Sequence, residues 1–203
     1  GDINVTNIGH LIVGTVNGTI GVVIIDASLD DQGDDIALVA NSPLTVNDAV
    51  TNNDGGDITL TAAGATTADD ATLNANVTAL GGSGNITVNA GSDIVQAAPS
   101  DVVAAGSGAI DYNASTGAAG GGIAMSDGAK ANSGTGQITM DASGDITLGG
   151  VSTANAAAAV TIDSTGGDII DGGDTHVDII ANAVGSEVIL NSAGGTGDGS
   201  PPA

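Results

Sequence analysis

A chain of 203 residues is long enough for one sizeable domain, yet it holds 34 glycines, no Phe, no Trp and a single tyrosine, Tyr112, which excludes the aromatic-filled interior of an ordinary compact globule. Its 24 acidic residues face one basic residue, Lys130, and the formal charge of −23 excludes nucleic acid and anionic membranes as partners, because nothing would neutralise phosphates. Cysteine is absent, which excludes a disulfide framework and thiol chemistry.

The first residues, Asp2-Ile3-Asn4-Val5, read as a strand. The apolar stretch from Leu11 to Ile25 is broken by Gly14, Asn17, Gly18 and Gly21, so it is too short and too interrupted for a membrane helix. It reads as two strands, Leu11–Val16 and Ile20–Ile25, around an Asn17-Gly18 turn. One short phrase then recurs seven times, at Ile36–Ala40, Ile58–Ala62, Ile86–Ala90, Ile110–Ala114, Ile138–Ala142, Val160–Ser164 and Val188–Ser192. Its rule is branched aliphatic, any residue, large apolar, any residue, Ala or Ser. The alternation has period two, so one strand face turns to a core and the other to water.

Successive phrases start about 25 residues apart, which suits one coil of a parallel β-helix. The starts at Ile36, Ile86, Ile138 and Val188 form one series, and those at Ile58, Ile110 and Val160 a second, each with a step of about 50 residues. In the first series a second short strand is expected to start at Leu44, Ile94 and Ile146. In the second series the next apolar patch falls near Leu73, Ile123 and Val177. Each coil therefore carries two or three short strands separated by Gly, Asn, Asp and Ser turns. The expected fold class is all-β: a single-domain parallel β-helix, or β-solenoid, over residues 1–195, with a two-coil repeat. Residues 196–203 read as a Gly/Ser/Pro tail or linker. A tube lined by stacked Ile, Val, Leu and Ala needs no aromatic filling.

Only one acid is a glutamate, Glu187, and the many aspartates are expected chiefly in turns, where a short carboxylate bonds nearby backbone N–H groups. Three acidic groups stand out: Asp26, Asp30, Asp31, Asp34 and Asp35 around Gly33; the pair Asp69-Asp70; and Asp168, Asp171, Asp174 and Asp178. Calcium takes roughly six to eight oxygens, largely carboxylates and carbonyls, and such loops supply them. Asp30, Asp31, Asp34 and Asp35 are the candidate calcium ligands, and no other cofactor is called for. Outward positions of the phrase form columns, with Thr59, Thr87, Thr139 and Thr161 in one and Asn89, Asn113, Asp141, Asp163 and Asn191 in another. These are expected to cover the sheet. Catalysis finds little support. His10 and His176 are the two histidines, neither in a nucleophile–base spacing, and Asp168, Asp171 and Asp174 lack the cationic neighbours that an acidic-sugar substrate calls for. The expectation is no enzyme.

Phrases such as Gly56-Asp57-Ile58-Thr59-Leu60-Thr61-Ala62-Ala63-Gly64 and Gly144-Asp145-Ile146-Thr147-Leu148 resemble the repeats of filamentous-haemagglutinin-like adhesins and related β-strand-repeat bacterial surface proteins. The resemblance runs from about residue 20 to residue 195, although the coil here is longer than that family's repeat. It implies an extracellular, cell-surface fibre segment for adhesion, biofilm or envelope coating. The partners it implies are neighbouring repeats of the same polypeptide, or copies of the chain stacked end to end, together with a carbohydrate or a host-cell surface. The alternative is a carbohydrate-binding or carbohydrate-cleaving β-helix. A groove lined by several Asp and Tyr112 would distinguish that alternative from a fibre. The chain begins Gly1-Asp2 without a signal-peptide pattern, so it reads as a processed product or an excerpt.

Overall fold

The structure is a computed structural model that describes residues 1–25, 33–114, 120–173 and 176–197. Among these residues there is no helix, and the strands follow one another in coils. The first coil holds β1 (Ile3–Asn7), β2 (Leu11–Val13) and β3 (Val22–Ile24). The second holds β4 (Ile36–Ala40), β5 (Leu44–Val46) and β6 (Val50–Asn52), and the third β7 (Ile58–Ala62), β8 (Ala71–Leu73) and β9 (Val77–Ala79). Next come β10 (Ile86–Ala90), β11 (Ile94–Gln96) and β12 (Asp101–Ala104), then β13 (Ile110–Ala114), β14 (Ile123–Met125) and β15 (Lys130–Ser133). The sixth coil holds β16 (Ile138–Ala142), β17 (Ile146–Leu148) and β18 (Gly150–Thr153), and the seventh β19 (Ala158–Ser164), β20 (Ile169–Asp171) and β21 (Ile179–Ala181). The last coil is formed by β22 (Glu187–Ser192) and β23 (Thr196–Gly197).

Every third strand is a hydrogen-bonded neighbour. The result is two eight-stranded sheets, β1 to β22 and β2 to β23, and one seven-stranded sheet, β3 to β21, all parallel. This is the expected parallel β-helix, with three strands per coil. Register is set by identity of position: Ile36 pairs Ile58, Leu38 pairs Leu60 and Ala40 pairs Ala62, and the same rows continue through Ile86, Val88 and Ala90. A one-residue slip would turn every aliphatic side chain out to water, so the alternation itself fixes the register. Ile58, Leu60, Ile86, Val88, Ile138, Met140, Val160 and Ile162 all lie fully buried in one continuous core. The small fifth residue of the phrase stacks at the corner after the first sheet, where Ser164 replaces Ala and its hydroxyl donates to the Gly144 carbonyl at 2.8 Å.

Coil length alternates chiefly at that corner, which spans residues 41–43, 91–93 and 143–145 in one series but residues 63–70 in the third coil and the eight positions between β13 and β14 in the fifth; in the seventh coil the corner is short, residues 165–168, and the extra length falls between β20 and β21. Three expectations need correction. The second strand of the seventh coil is Ile169–Asp171, and Val177 is an exposed residue of the following corner. The stretch from Leu11 to Ile25 is not a hairpin: β2 and β3 join different sheets, and only Val16 and Thr19 pair antiparallel across the Asn17-Gly18 turn. Thr196–Gly197, read from sequence as the start of a tail, add a strand to β20, whereas residues 198–203 lie outside the described residues.

Close stacking restricts one corner to glycine. Gly56, Gly84, Gly108 and Gly136 follow one another up the axis. A Cβ on any of the last three would collide with the carbonyl of the glycine one coil below.

Candidate functional site

The aspartates have a more specific role than turn formation. Residues immediately before the strands form side-chain ladders along the axis. Before the first sheet, the Asp35 N–H donates to Asp2 Oδ1 at 3.1 Å, Asp57 N–H to Asp35 Oδ1 at 2.8 Å, Asn85 N–H to Asp57 Oδ1 at 2.7 Å and Ala109 N–H to Asn85 Oδ1 at 2.9 Å. Before the second sheet the series is Asp70, Asp93 and Gly122, with N–H donors at 3.1 and 2.8 Å, and then Asp145, Asp168 and Gly195 at 2.8 and 2.5 Å. Asn76 accepts the Asp101 N–H before the third sheet at 2.9 Å. In each case the carboxylate or amide oxygen supplies an acceptor one step beyond the last backbone ladder bond. It thereby satisfies an N–H that the parallel ladder leaves over.

The outward face of the first sheet carries the expected polar column, with Asn89, Asn113, Asp141, Asp163 and Asn191 in direct register. The threonine column is interrupted, because Asp111 stands between Thr87 and Thr139. Partial burial and then the charge of Asp141 raise the Asp111 pKa, and partial burial and then the charge of Asp163 raise that of Asp141. The stacked carboxylates make this a face that repels further anions.

Tyr112 lies fully inside the tube and lines no groove. Its hydroxyl donates to Gln96 Oε1 at 2.7 Å, and Gln96 Nε2 donates to the carbonyls of Ser100 and Lys130 at 2.8 and 2.9 Å. Burial holds the phenol far above its usual pKa, so it stays a neutral donor.

Of the four candidate calcium ligands, the two among the described residues, Asp34 and Asp35, engage different partners. Asp30 and Asp31 lie outside the described residues, as does Asp26. Asp35 is committed to its ladder, with Oδ1 accepting from Asp57. Asp34 turns the other way, and its Oδ2 is in contact with the Gly1 ammonium. The Asp34 N–H donates to Asp54 Oδ2 at 2.9 Å, so the residue that shares a corner with Asp34 is Asp54, which the sequence did not single out. Asp69 and Asp70 also part company. Asp69 closes its own turn by accepting from Thr66 N–H and Oγ1–H at 2.7 and 2.6 Å, while Asp70 belongs to the ladder. Asp168 is likewise a ladder residue, Asp171 caps its own turn by accepting from the Gly173 N–H at 2.8 Å, and Asp174 lies outside the described residues. Among the described residues, no three acidic or histidine side chains meet at a common metal position.

One open cleft of about 510 Å³ lies on the third sheet, lined by Lys130, Asn132, Ser152, His176, Val177 and Ile180 among others. The stem of Lys130 lies over Gly150, and His176 Nδ1 stands 3.9 Å from Asp127 Oδ1. The cleft offers hydroxyl, amide and cationic groups. His10, at the other end, contacts Thr45 Oγ1 through Nε2 at 2.9 Å. No described helix is long and apolar enough to cross a membrane. Set against family models, curated proteins and solved structures, the chain matches none of them significantly, so its function is argued from its own geometry.

Proposed function

We propose that this chain is a structural and adhesive segment of an extracellular surface fibre, built by covalent continuation of the repeat or by head-to-tail stacking of β-helix units. One observation supports the proposal: among the described residues, the rows of inward residues run in register from the first coil to the last, and the outermost rows keep apolar surface exposed. Val5 at one end and Val188 and Leu190 at the other are 38, 42 and 38 % exposed, while their equivalents in the middle coils are fully buried. The outer strands also offer one row of backbone donors and acceptors each, a template for another coil. A further coil laid on either end would cover both kinds of surface. A head-to-tail contact of this sort does not close on itself and generates a filament. The net charge of −23 discourages lateral clumping of such rods. The resemblance of the Gly-Asp-Ile-Thr-Leu phrases to adhesin repeats supports an exported, surface-bound location, as does a chain with one Lys and no Arg for trypsin-like proteases to cut.

Electron microscopy of the purified protein and of its native assembly is expected to give thin rods. Their axial repeat should lie near eight coils at about 4.8 Å each, roughly 40 Å. A monomer that persists in light scattering at high concentration, from a gene with no further repeats, would defeat the fibre proposal. The alternative, a carbohydrate-binding β-helix, draws support from the Lys130–His176 cleft. Glycan binding by the monomer, abolished by Ser152→Trp, would favour it.

A further inference from the structure

The corner where the third sheet turns into the first contains a carboxylate that the protein leaves half satisfied. Asp54 is only 4 % exposed, and its Oδ1 has no hydrogen-bond partner, although Oδ2 accepts the Asp34 N–H at 2.9 Å. The carboxylate is held in place. Its own N–H donates to Asn52 Oδ1 at 3.0 Å, and Asn52, itself fully buried, donates through Nδ2 to the Asp34 carbonyl at 2.6 Å. Asp54 therefore cannot swing out to water without breaking a buried network that also fixes Asp34. The Asp34 carboxylate is 14 % exposed and contacts the Gly1 ammonium, the one cationic group in contact with it among the described residues. Two carboxylates thus occupy one corner of a chain of charge −23, and the more deeply buried of them has an oxygen lone-pair face without a donor. A buried anionic oxygen in that condition is costly, and a cation relieves it. The two turns that meet here, at Gly33 and at Gly55-Gly56, press backbone against backbone: a Cβ on Gly33, which has φ +80°, would stand 2.7 Å from Gly56 N. Among the described residues the corner therefore presents two carboxylates and the Asp34 carbonyl, with the one nitrogen side chain there, Asn52, already spent on that carbonyl, and an oxygen-dominated corner of this kind suits a hard divalent cation.

We infer that the Asp34–Asp54 corner binds a divalent cation, calcium in preference to magnesium. Two carboxylates, neighbouring carbonyls and water make up the irregular oxygen shell that calcium tolerates and magnesium does not. Asp54, not Asp35, is the defining ligand. The inference is independent of the fibre proposal, since it concerns a single coil corner of the monomer.

The test uses the full chain. Calcium binding is measured by isothermal titration calorimetry with calcium chloride. Thermal melting is followed with calcium chloride, magnesium chloride and sodium chloride at matched ionic strength, and with a chelator. The variants are Asp54→Asn and Asp34→Asn, with Asp127→Asn as the control that removes an equal charge from an exposed site. Wild type and Asp127→Asn are expected to bind with a dissociation constant in the region of about 0.1–1 mM, the range of sites with few ligand charges. Saturating calcium should raise their Tm by about 5 °C beyond the sodium effect. Asp54→Asn is expected to weaken calcium binding at least tenfold and to lose that extra rise. In chelator it should melt at or above wild type, because the charge left unsatisfied by the protein is gone. Asp34→Asn, which keeps the backbone bonds of the corner, should weaken binding as well. Calcium acting no differently from sodium in the wild type would overturn the inference. So would Asp54→Asn responding to calcium within twofold of Asp127→Asn.

Discussion

Replacing Ile138 by Asp tests the inside–outside assignment on which the fold rests. Ile138 is fully buried in the sixth coil, stacked between Ile110 below and Val160 above. Withdrawing its side chain forfeits about 1.5–3 kcal/mol of burial. The carboxylate then stands among aliphatic neighbours with no cation and no donor, which adds several kcal/mol or drives the group to protonate. The sum is of order 5 kcal/mol, a large part of the roughly 5–15 kcal/mol that stabilises a typical domain. Ile138→Ala, which introduces no charge, is expected to cost about 2–5 kcal/mol. Thr139 is the next residue and faces outward. Thr139→Asp buries nothing, but it lands opposite Asp111 and beside Asp141. Its cost should stay below about 1 kcal/mol, as like charges do on sheet faces, and should shrink in acid. Urea denaturation followed by circular dichroism ranks the three variants. A Thr139→Asp midpoint as low as that of Ile138→Ala would refute the assignment.

Three further outcomes follow from the ladders and the core. Asp57→Ala strips the acceptor from the Asn85 N–H and is expected to cost about 1 kcal/mol, whereas Asp57→Asn keeps an acceptor oxygen and should fall within about 0.5 kcal/mol of wild type; equal losses in urea titrations would mean that the charge, not the ladder bond, matters. Tyr112→Phe leaves Gln96 Oε1 without its donor inside the tube and should lower stability by about 1–3 kcal/mol, read from the urea midpoint; a neutral result would place water in the core. Asp141 has a folded-state pKa raised above the ordinary carboxylate value of 3.8, so its ionisation opposes folding: the stability it withholds returns as pH falls through its folded pKa. Asp141→Asn should therefore raise the Tm at neutral pH, with a gain that fades on acidification and is gone below 3.8; a gain that persists in acid would discount both the burial of the charge and its repulsion with Asp163.

The long strands were legible because Ile-Thr-Leu-Thr-Ala and its variants repeat both the alternation and the small corner residue. The third sheet was not. Its strands, such as Lys130–Ser133 and Gly150–Thr153, carry one or two small inward side chains each, too little to stand out from a Gly- and Ala-rich background. The next apolar patch of the seventh coil was read near Val177, yet the strand lies at Ile169. The missed cue was Asp168, since a ladder aspartate precedes the strand there as it does at Asp145 and Asp57. Asp54 was invisible for another reason. Asn53-Asp54-Gly55-Gly56 reads as an ordinary polar turn, and only the coil below it, bringing Asp34 alongside, turns it into a closed corner.

The graded burial from the middle coils to the ends has a mechanical meaning. The hydrogen bonds between coils run along the axis, so tension applied at the two termini loads them one rung at a time. The outermost coils, with the least apolar contact, give way first and the others follow in order. Each coil adds about 4.8 Å to the intact rod. Once peeled, its roughly 25 residues span about 85 Å of extended chain. Under load the molecule is therefore a stiff rod with a large reserve of length, released in steps that alternate with coil length and recovered by the same register when the pull relaxes.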